Sequence, residues 1–159
     1  MVTPPLDPAA KMLYSMEPLR RPIVQAIIAS LHLLPGSRGL DAGCGIGLQA
    51  MQLAQAVGPQ GHVTGLDFSA ALLEIARELT GEAGLADRVS FQEGSWDQIP
   101  CEEKTFDWAW SMDAAGYAPQ RPVTTVRELV RVIKPGASLS WGTGLRSACS
   151  PATRPWRRI

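Results

Sequence analysis

Three glycines, Gly43, Gly45 and Gly47, stand at alternate positions, and Asp67 follows twenty positions after the last of them. Glycines at this spacing let a backbone turn sharply and let a ligand approach with no Cβ in the way. A helix that opens directly behind them points its free N–H groups at that ligand and favours an anion or a carboxylate. A carboxylate at Asp67, at the end of a following strand, can accept hydrogen bonds from both hydroxyls of a ribose. The two features together point to a ligand that carries a nucleoside. Asp41 adds a second carboxylate just ahead of the loop, in the run Asp41-Ala42-Gly43-Cys44-Gly45-Ile46-Gly47. Gly45 to Ala50 also fits the dinucleotide pattern G-x-G-x-x-A, two residues late. That match keeps a nicotinamide-dependent oxidoreductase as an alternative.

The elements that must position these residues are legible as alternating strands and helices. Arg38–Ala42 is a strand candidate that runs into the glycine loop, and a helix is expected from Leu48 to Val57. Its packing face is expected to hold Leu48, Met51, Leu53 and Ala54. His62–Leu66 reads as the second strand, ending at Asp67, with Ser69 as the N-cap of the next helix. There Leu72, Ile75, Ala76, Leu79 and Ala83 define the predicted apolar face, and Gly84 the stop. Val89–Glu93 and Phe106–Ser111 are the third and fourth strands, the latter with Trp108 and Trp110 on one face. Val123, Val126, Leu129, Val130 and Ile133 mark a helix ended by Lys134-Pro135-Gly136, and Ala137–Trp141 is the fifth strand. Residues 1–35 read as a helical lead-in, with a helix able to start at Pro22 and stopped by Pro35-Gly36. This order predicts an α/β fold: a Rossmann-like open, mostly parallel sheet of about five strands with helices on both faces.

The composition narrows the function classes. The chain has 159 residues, 15 basic and 15 acidic, with a formal net charge of zero. No long-range field would steer a nucleic acid or an anionic membrane to it, so neither is an expected partner. No apolar run is long enough to span a bilayer, and the first eight residues carry Pro4, Pro5 and Asp7 in place of a signal peptide's basic and apolar segments. Three cysteines without a C-x-x-C spacing indicate neither a disulfide framework nor a metal site, and a cytoplasmic location is expected. The histidines, His32 and His62, read as structural or exposed.

The run D-x-G-C-G-x-G resembles the first motif of the class I S-adenosylmethionine-dependent methyltransferases. Val63–Ser69 resembles the second motif, Gln92–Pro100 the third-strand segment, Phe106–Ser111 the fourth strand, and Arg131–Gly136 the approach to the fifth. The similarity covers about residues 18–142, and its closest flavour is the small-molecule branch, of the methyltransferase type 11 and 25 kind. The resemblance implies S-adenosylmethionine as cofactor and a small-molecule methyl acceptor. It implies that Gly43, Gly45 and Gly47 face the methionine part, Asp41 the ammonium, Asp67 the ribose and Phe68 the adenine. It further implies that Ser95 and Trp96 flank the adenine and that Ser111 lies near the sulfonium. Tyr14, Asp113 and Tyr117 are the analogous candidates for the acceptor side, while no catalytic base is assigned.

Two departures from the family stand out. Ser95 replaces the family's usual aspartate, with Asp97 nearby as a substitute. The family's sheet also has seven strands, and the last two are missing here. The resulting division is 1–35 lead-in, 36–145 cofactor-binding domain, and 146–159 a basic, disordered tail on a shortened chain. An uncovered fifth strand would offer an edge for a homodimer. The shortening also keeps a non-catalytic or partner-completed cofactor-binding domain as an alternative function.

Overall fold

The computed structural model describes residues 7–112, 122–143 and 146–151. Its elements are α1 (Pro8–Ser30), β1 (Arg38–Ala42), α2 (Leu48–Ala56), β2 (His62–Asp67), α3 (Ala70–Glu82), β3 (Val89–Glu93), β4 (Phe106–Met112), α4 (Pro122–Val132), β5 (Ile133–Thr143) and β6 (Arg146–Pro151). They build one sheet in the order β3-β2-β1-β4-β5-β6. The first five strands run parallel, and β6 pairs antiparallel with β5. The order reverses between β1 and its two neighbours, which opens a crevice beyond the carboxyl ends of the strands.

Apolar side chains on the two faces of the sheet form two cores. One face packs Leu40, Leu66, Phe106 and Ala109 against Leu129 and Val132 of α4, together with Trp96 and Ile99. The other packs Val63, Val89, Trp108 and Trp110 against α1 and α2 through Val24, Ile28, Leu53 and Val57. The helices therefore cover both faces, as the alternation predicted, and the two strand tryptophans are core. Gly39 has no room for a side chain: a Cβ there would stand 2.0 Å from the Trp108 ring. Trp108 fixes its own orientation by donating from Nε1 to Ser37 Oγ at 2.9 Å.

Several local expectations are corrected. The first helix starts at Pro8, not Pro22, because Asp7 caps it by accepting from the Ala10 N–H at 2.9 Å and Pro8 takes the first turn, where no donor is lost. Helix α2 buries Ala50 and Gln52 beside Leu53 and Ala54, leaving Leu48 and Met51 half-buried. Helix α3 buries Leu73, Ala76 and Thr80, one position round from the expected face. Helix α4 buries Thr125, Leu129 and Val132 and exposes Val123 and Val130. Strand β5 begins at Ile133, ahead of the Lys-Pro-Gly stop, through a register irregularity opposite Phe106–Trp108.

The largest correction concerns the end of the sheet. Arg146–Pro151, where the sequence has no periodicity and a disordered tail was expected, forms β6. The β5 edge expected to be free is therefore covered from within the chain, which removes the reason given for a homodimer through it. Among the described residues no helix is long and apolar enough to cross a membrane.

Candidate cofactor site

The crevice holds a cavity of about 290 Å³ at the carboxyl ends of β1 and β2. Its floor is the glycine loop. Gly43, Gly45 and Gly47 all have positive φ, at 84°, 54° and 76°, which a residue with a Cβ adopts only under strain. The Gly43 and Cys44 amides both donate to the Leu66 carbonyl, at 2.7 and 3.0 Å, which binds the loop to the end of β2.

Asp67 closes this arrangement. Its Oδ2 accepts from the Gly45 N–H at 2.9 Å and its Oδ1 from the Ser69 N–H at 3.0 Å. Its backbone carbonyl accepts from the Gly94 N–H at 3.0 Å. One buried residue thus joins the loops that follow β1, β2 and β3. A carboxylate offers about four lone-pair positions. Two are occupied, and the remaining acceptor capacity serves the cavity that Asp67 lines.

Asp41 sits underneath, wholly buried in β1. It accepts from the Ala50 N–H of α2, while its Oδ2 has no hydrogen-bond partner among the described residues. Burial, with the Asp67 charge adding to it, pushes its pKa up to about 7. Cys44 is buried within the loop, and burial raises its thiol pKa far beyond the ordinary range, so it is a packing residue and not a nucleophile.

Of the nine residues expected at the site, Gly43, Gly45, Asp67, Phe68 and Trp96 line the cavity. Phe68 is 65% exposed at its mouth, in an edge-to-face contact with Trp96 at 6.4 Å between ring centroids. Trp96 is buried, and its Nε1 has no partner among the described residues. Asp41, Gly47, Ser95 and Ser111 do not line it. Gly47 is the N-cap of α2, and a Cβ there would lie 2.8 Å from the Phe91 ring. Ser95 is exposed and donates to Asp97 Oδ1, so these two satisfy each other. Ser111 is turned away and donates to the Ala42 carbonyl at 2.9 Å. Its neighbour Met112 takes the place at the cavity. Tyr14 does not line the cavity; Asp113 and Tyr117 fall outside the described residues.

The wall opposite the glycine loop comes from α1, the lead-in from which the resemblance offered Tyr14 and not the residues that form the wall. Ala9, Leu13, Glu17 and Arg20 recur at helical spacing along it, with Met12 beside them. Glu17 accepts from Arg21 Nε at 2.9 Å and from Gln52 Nε2 of α2 at 3.3 Å, which ties this wall to the helix behind the loop. The one available signal was Asp7-Pro8, which marks where the helix begins and so how far its wall extends.

A family model described as a methyltransferase domain matches residues 40–136. The chain belongs to this methyltransferase family. It is 38% identical over 123 residues to the methyltransferase phqN of Penicillium fellutanum, a match covering 73% of this chain and 37% of that protein. To the demethylmenaquinone methyltransferase of Symbiobacterium thermophilum it is 31% identical over 135 residues, covering 83% and 49%. The solved structure of a SAM-dependent methyltransferase from Aquifex aeolicus superposes with a TM-score of 0.75 at 26% identity, covering 86% of this chain and 72% of that one. The chain spans about half or less of the length of these curated relatives. Membership of the family displaces the nicotinamide alternative.

The family's cofactor is S-adenosylmethionine, and the site's chemistry fits it. The cofactor carries a diol, a charged amino-acid end and an aromatic base, and the cavity offers the Asp67 carboxylate, a glycine loop and the Phe68–Trp96 corner. Among the described residues Asp41 Oδ2 and Trp96 Nε1 are an acceptor and a donor without a partner, which a ligand or water would satisfy.

Proposed function

We propose that this chain is an S-adenosylmethionine-dependent methyltransferase whose acceptor is a small molecule. The observation that carries the reading is Asp67, held at both carboxylate oxygens by loop amides while lining the cavity that the glycine loop and Trp96 share. In this reading Asp67 takes the ribose hydroxyls, Gly43 and Gly45 the amino-acid end, Asp41 the ammonium group from below, and Phe68 and Trp96 the adenine. Bound there, the cofactor supplies an activated methyl group on a sulfonium. The chain supplies alignment, which is most of what a protein adds to a one-step displacement. Met12, Leu13, Leu48 and Met112 give the cavity an apolar wall suited to an apolar acceptor. The demethylmenaquinone methyltransferase among the relatives supports the small-molecule class.

A second reading has an observation of its own. Phe68 and Met12, 65% and 52% exposed, leave apolar surface at the cavity mouth that a partner chain could cover. The chain would then bind cofactor but need that partner to act.

Isothermal titration of S-adenosylhomocysteine into the wild-type chain and an Asp67→Ala variant tests the main reading. Micromolar binding that the variant loses is expected. A folded wild-type chain that binds neither this ligand nor S-adenosylmethionine would overturn it. Binding without methyl transfer to any acceptor in a quinone, phenol and amine panel would favour the partner-completed reading.

A further inference from the structure

Between β3 and β4 the chain runs from Gly94 to Thr105 with one isolated bridge, Ser95 to Gln98, and no helix. This irregular segment carries Trp96 to the cavity. A segment without a ladder must satisfy its backbone groups elsewhere, and here an ion pair on α4 takes three of them, beside local turns such as the Cys101 N–H on the Ile99 carbonyl at 2.8 Å. Glu128 Oε2 accepts from the Ile99 N–H at 3.0 Å. Arg131 donates to the Ile99 carbonyl at 2.8 Å and to the Cys101 carbonyl at 2.9 Å. The two side chains grip each other in a fork, Nε to Oε1 at 2.8 Å and a terminal nitrogen to Oε2 at 2.7 Å. Both polar backbone groups of Ile99 therefore end on one charged pair. Charge-assisted, two-pronged contacts of this kind fix orientation as well as adding stability. The pair stays ionised, since the Arg131 guanidinium holds the Glu128 carboxyl below the usual carboxylate range.

The other end of the segment is tied to the site itself, through the Gly94 N–H on the Asp67 carbonyl. Inside the core, Trp96 and Ile99 pack in one cluster with Leu129 and Val132, the α4 residues that flank the ion pair. Gln92 Nε2 adds a bond to the Pro100 carbonyl at 3.0 Å. The segment is thus stretched between a cavity residue and α4, with Trp96 in the span.

We infer that Glu128 and Arg131 are positioning residues for the cofactor site, setting the place of Trp96 in the cavity wall by clamping the Ile99–Cys101 turn. The inference rests on the proposed cofactor reading. Its signature is non-additivity, because a clamp that acts through Trp96 has nothing to act on once the indole is gone.

The test is a double-mutant cycle with Arg131→Lys and Trp96→Ala, read by titration of S-adenosylhomocysteine at a temperature well below either variant's melting point. Lysine keeps the charge and loses the fork. Arg131→Lys alone is expected to weaken binding roughly three- to tenfold, the scale of lost charge-assisted hydrogen bonds. In the Trp96→Ala background it should weaken binding by less than about twofold. If Arg131→Lys does not fold, Glu128→Gln replaces it, since its amide oxygen still accepts from Ile99 but the charged fork is gone. Unchanged affinity with a lowered melting temperature would overturn the inference, as would equal losses with and without Trp96. A wild-type chain that does not bind the ligand would instead sink the parent reading.

Discussion

The Ser111 hydroxyl donates to the Ala42 carbonyl at 2.9 Å and so bolts the end of β4 to the end of β1, directly beneath the glycine loop. Both partners are buried. The residue expected beside the sulfonium is therefore part of the frame, and its removal should be felt in stability. Ser111→Ala is expected to cost about 0.5–1.5 kcal/mol, the net worth of a hydrogen bond. Urea unfolding measures that cost. Titration with S-adenosylhomocysteine should find the affinity within about threefold of wild type, and a larger loss would return Ser111 to the cofactor.

Asp67 should be sensitive to its charge as well as its shape. Asparagine offers one oxygen where two N–H donors, from Gly45 and Ser69, now find two. Asp67→Asn therefore sets an NH₂ group against one of those donors. A stability loss of about 1–3 kcal/mol is expected, with cofactor-analogue affinity down about tenfold or more. Thermal unfolding with and without ligand reads both, and full retention of affinity would contradict the ribose role.

Asp41 gives the molecule a pH dependence of definite sign. Its pKa is about 7 in the fold against 3.8 as the ordinary value. The native state then holds the extra proton between those values, so this group's contribution is complete below about pH 4 and falls away as pH rises toward 7. Asp41→Asn, neutral at every pH, should abolish that decline. Relative to wild type the variant is expected to gain stability on going from pH 4 to pH 8, on the order of a few kcal/mol. Urea midpoints at the two pH values, compared between the proteins, decide it. Parallel changes in both would mean that Asp41 is already ionised at low pH.

Gly39 lies on a buried strand under the Trp108 ring, where a methyl group would come within 2.0 Å of aromatic carbons. Neither partner can give easily, because Trp108 is also held by Ser37. Gly39→Ala is expected to lose about 3 kcal/mol, at the upper end for overpacking a core. Near-ultraviolet circular dichroism of the tryptophans should change with it, and a wild-type spectrum and melting temperature would refute the packing account.

The contrast between what the residues announced and what they concealed has a physical pattern. The turn at Gly43, Gly45 and Gly47 and the strand-end place of Asp67 were readable because they are local: positive φ and a strand-end carboxylate belong to a few consecutive residues. The parallel sheet was readable because strand and helix periods alternate. The α1 wall was legible only as a lead-in carrying Tyr14, since Leu13 and Glu17 acquire their place only when the helix is laid across α2. The turn of Ser111 toward Ala42 was not readable because motif position does not say which way a side chain points. β6 was invisible because its pairing with β5 comes from backbone hydrogen bonds, which leave no mark in the apolar pattern. The shift of the α3 face by one position, to Leu73, Ala76 and Thr80, shows the limit of periodicity when alanines and leucines occur all round a helix.

Asp67 binds three separate loops with three separate acceptor atoms, to Gly45, Ser69 and Gly94. Stiffness at this point is therefore shared. A ligand that steadies Asp67 must quiet the glycine loop, the start of α3 and the Trp96 segment at the same moment, although they lie far apart along the chain. Amide exchange in all three stretches should slow in step as ligand is added, with one common midpoint, so the site behaves as a single mechanical unit.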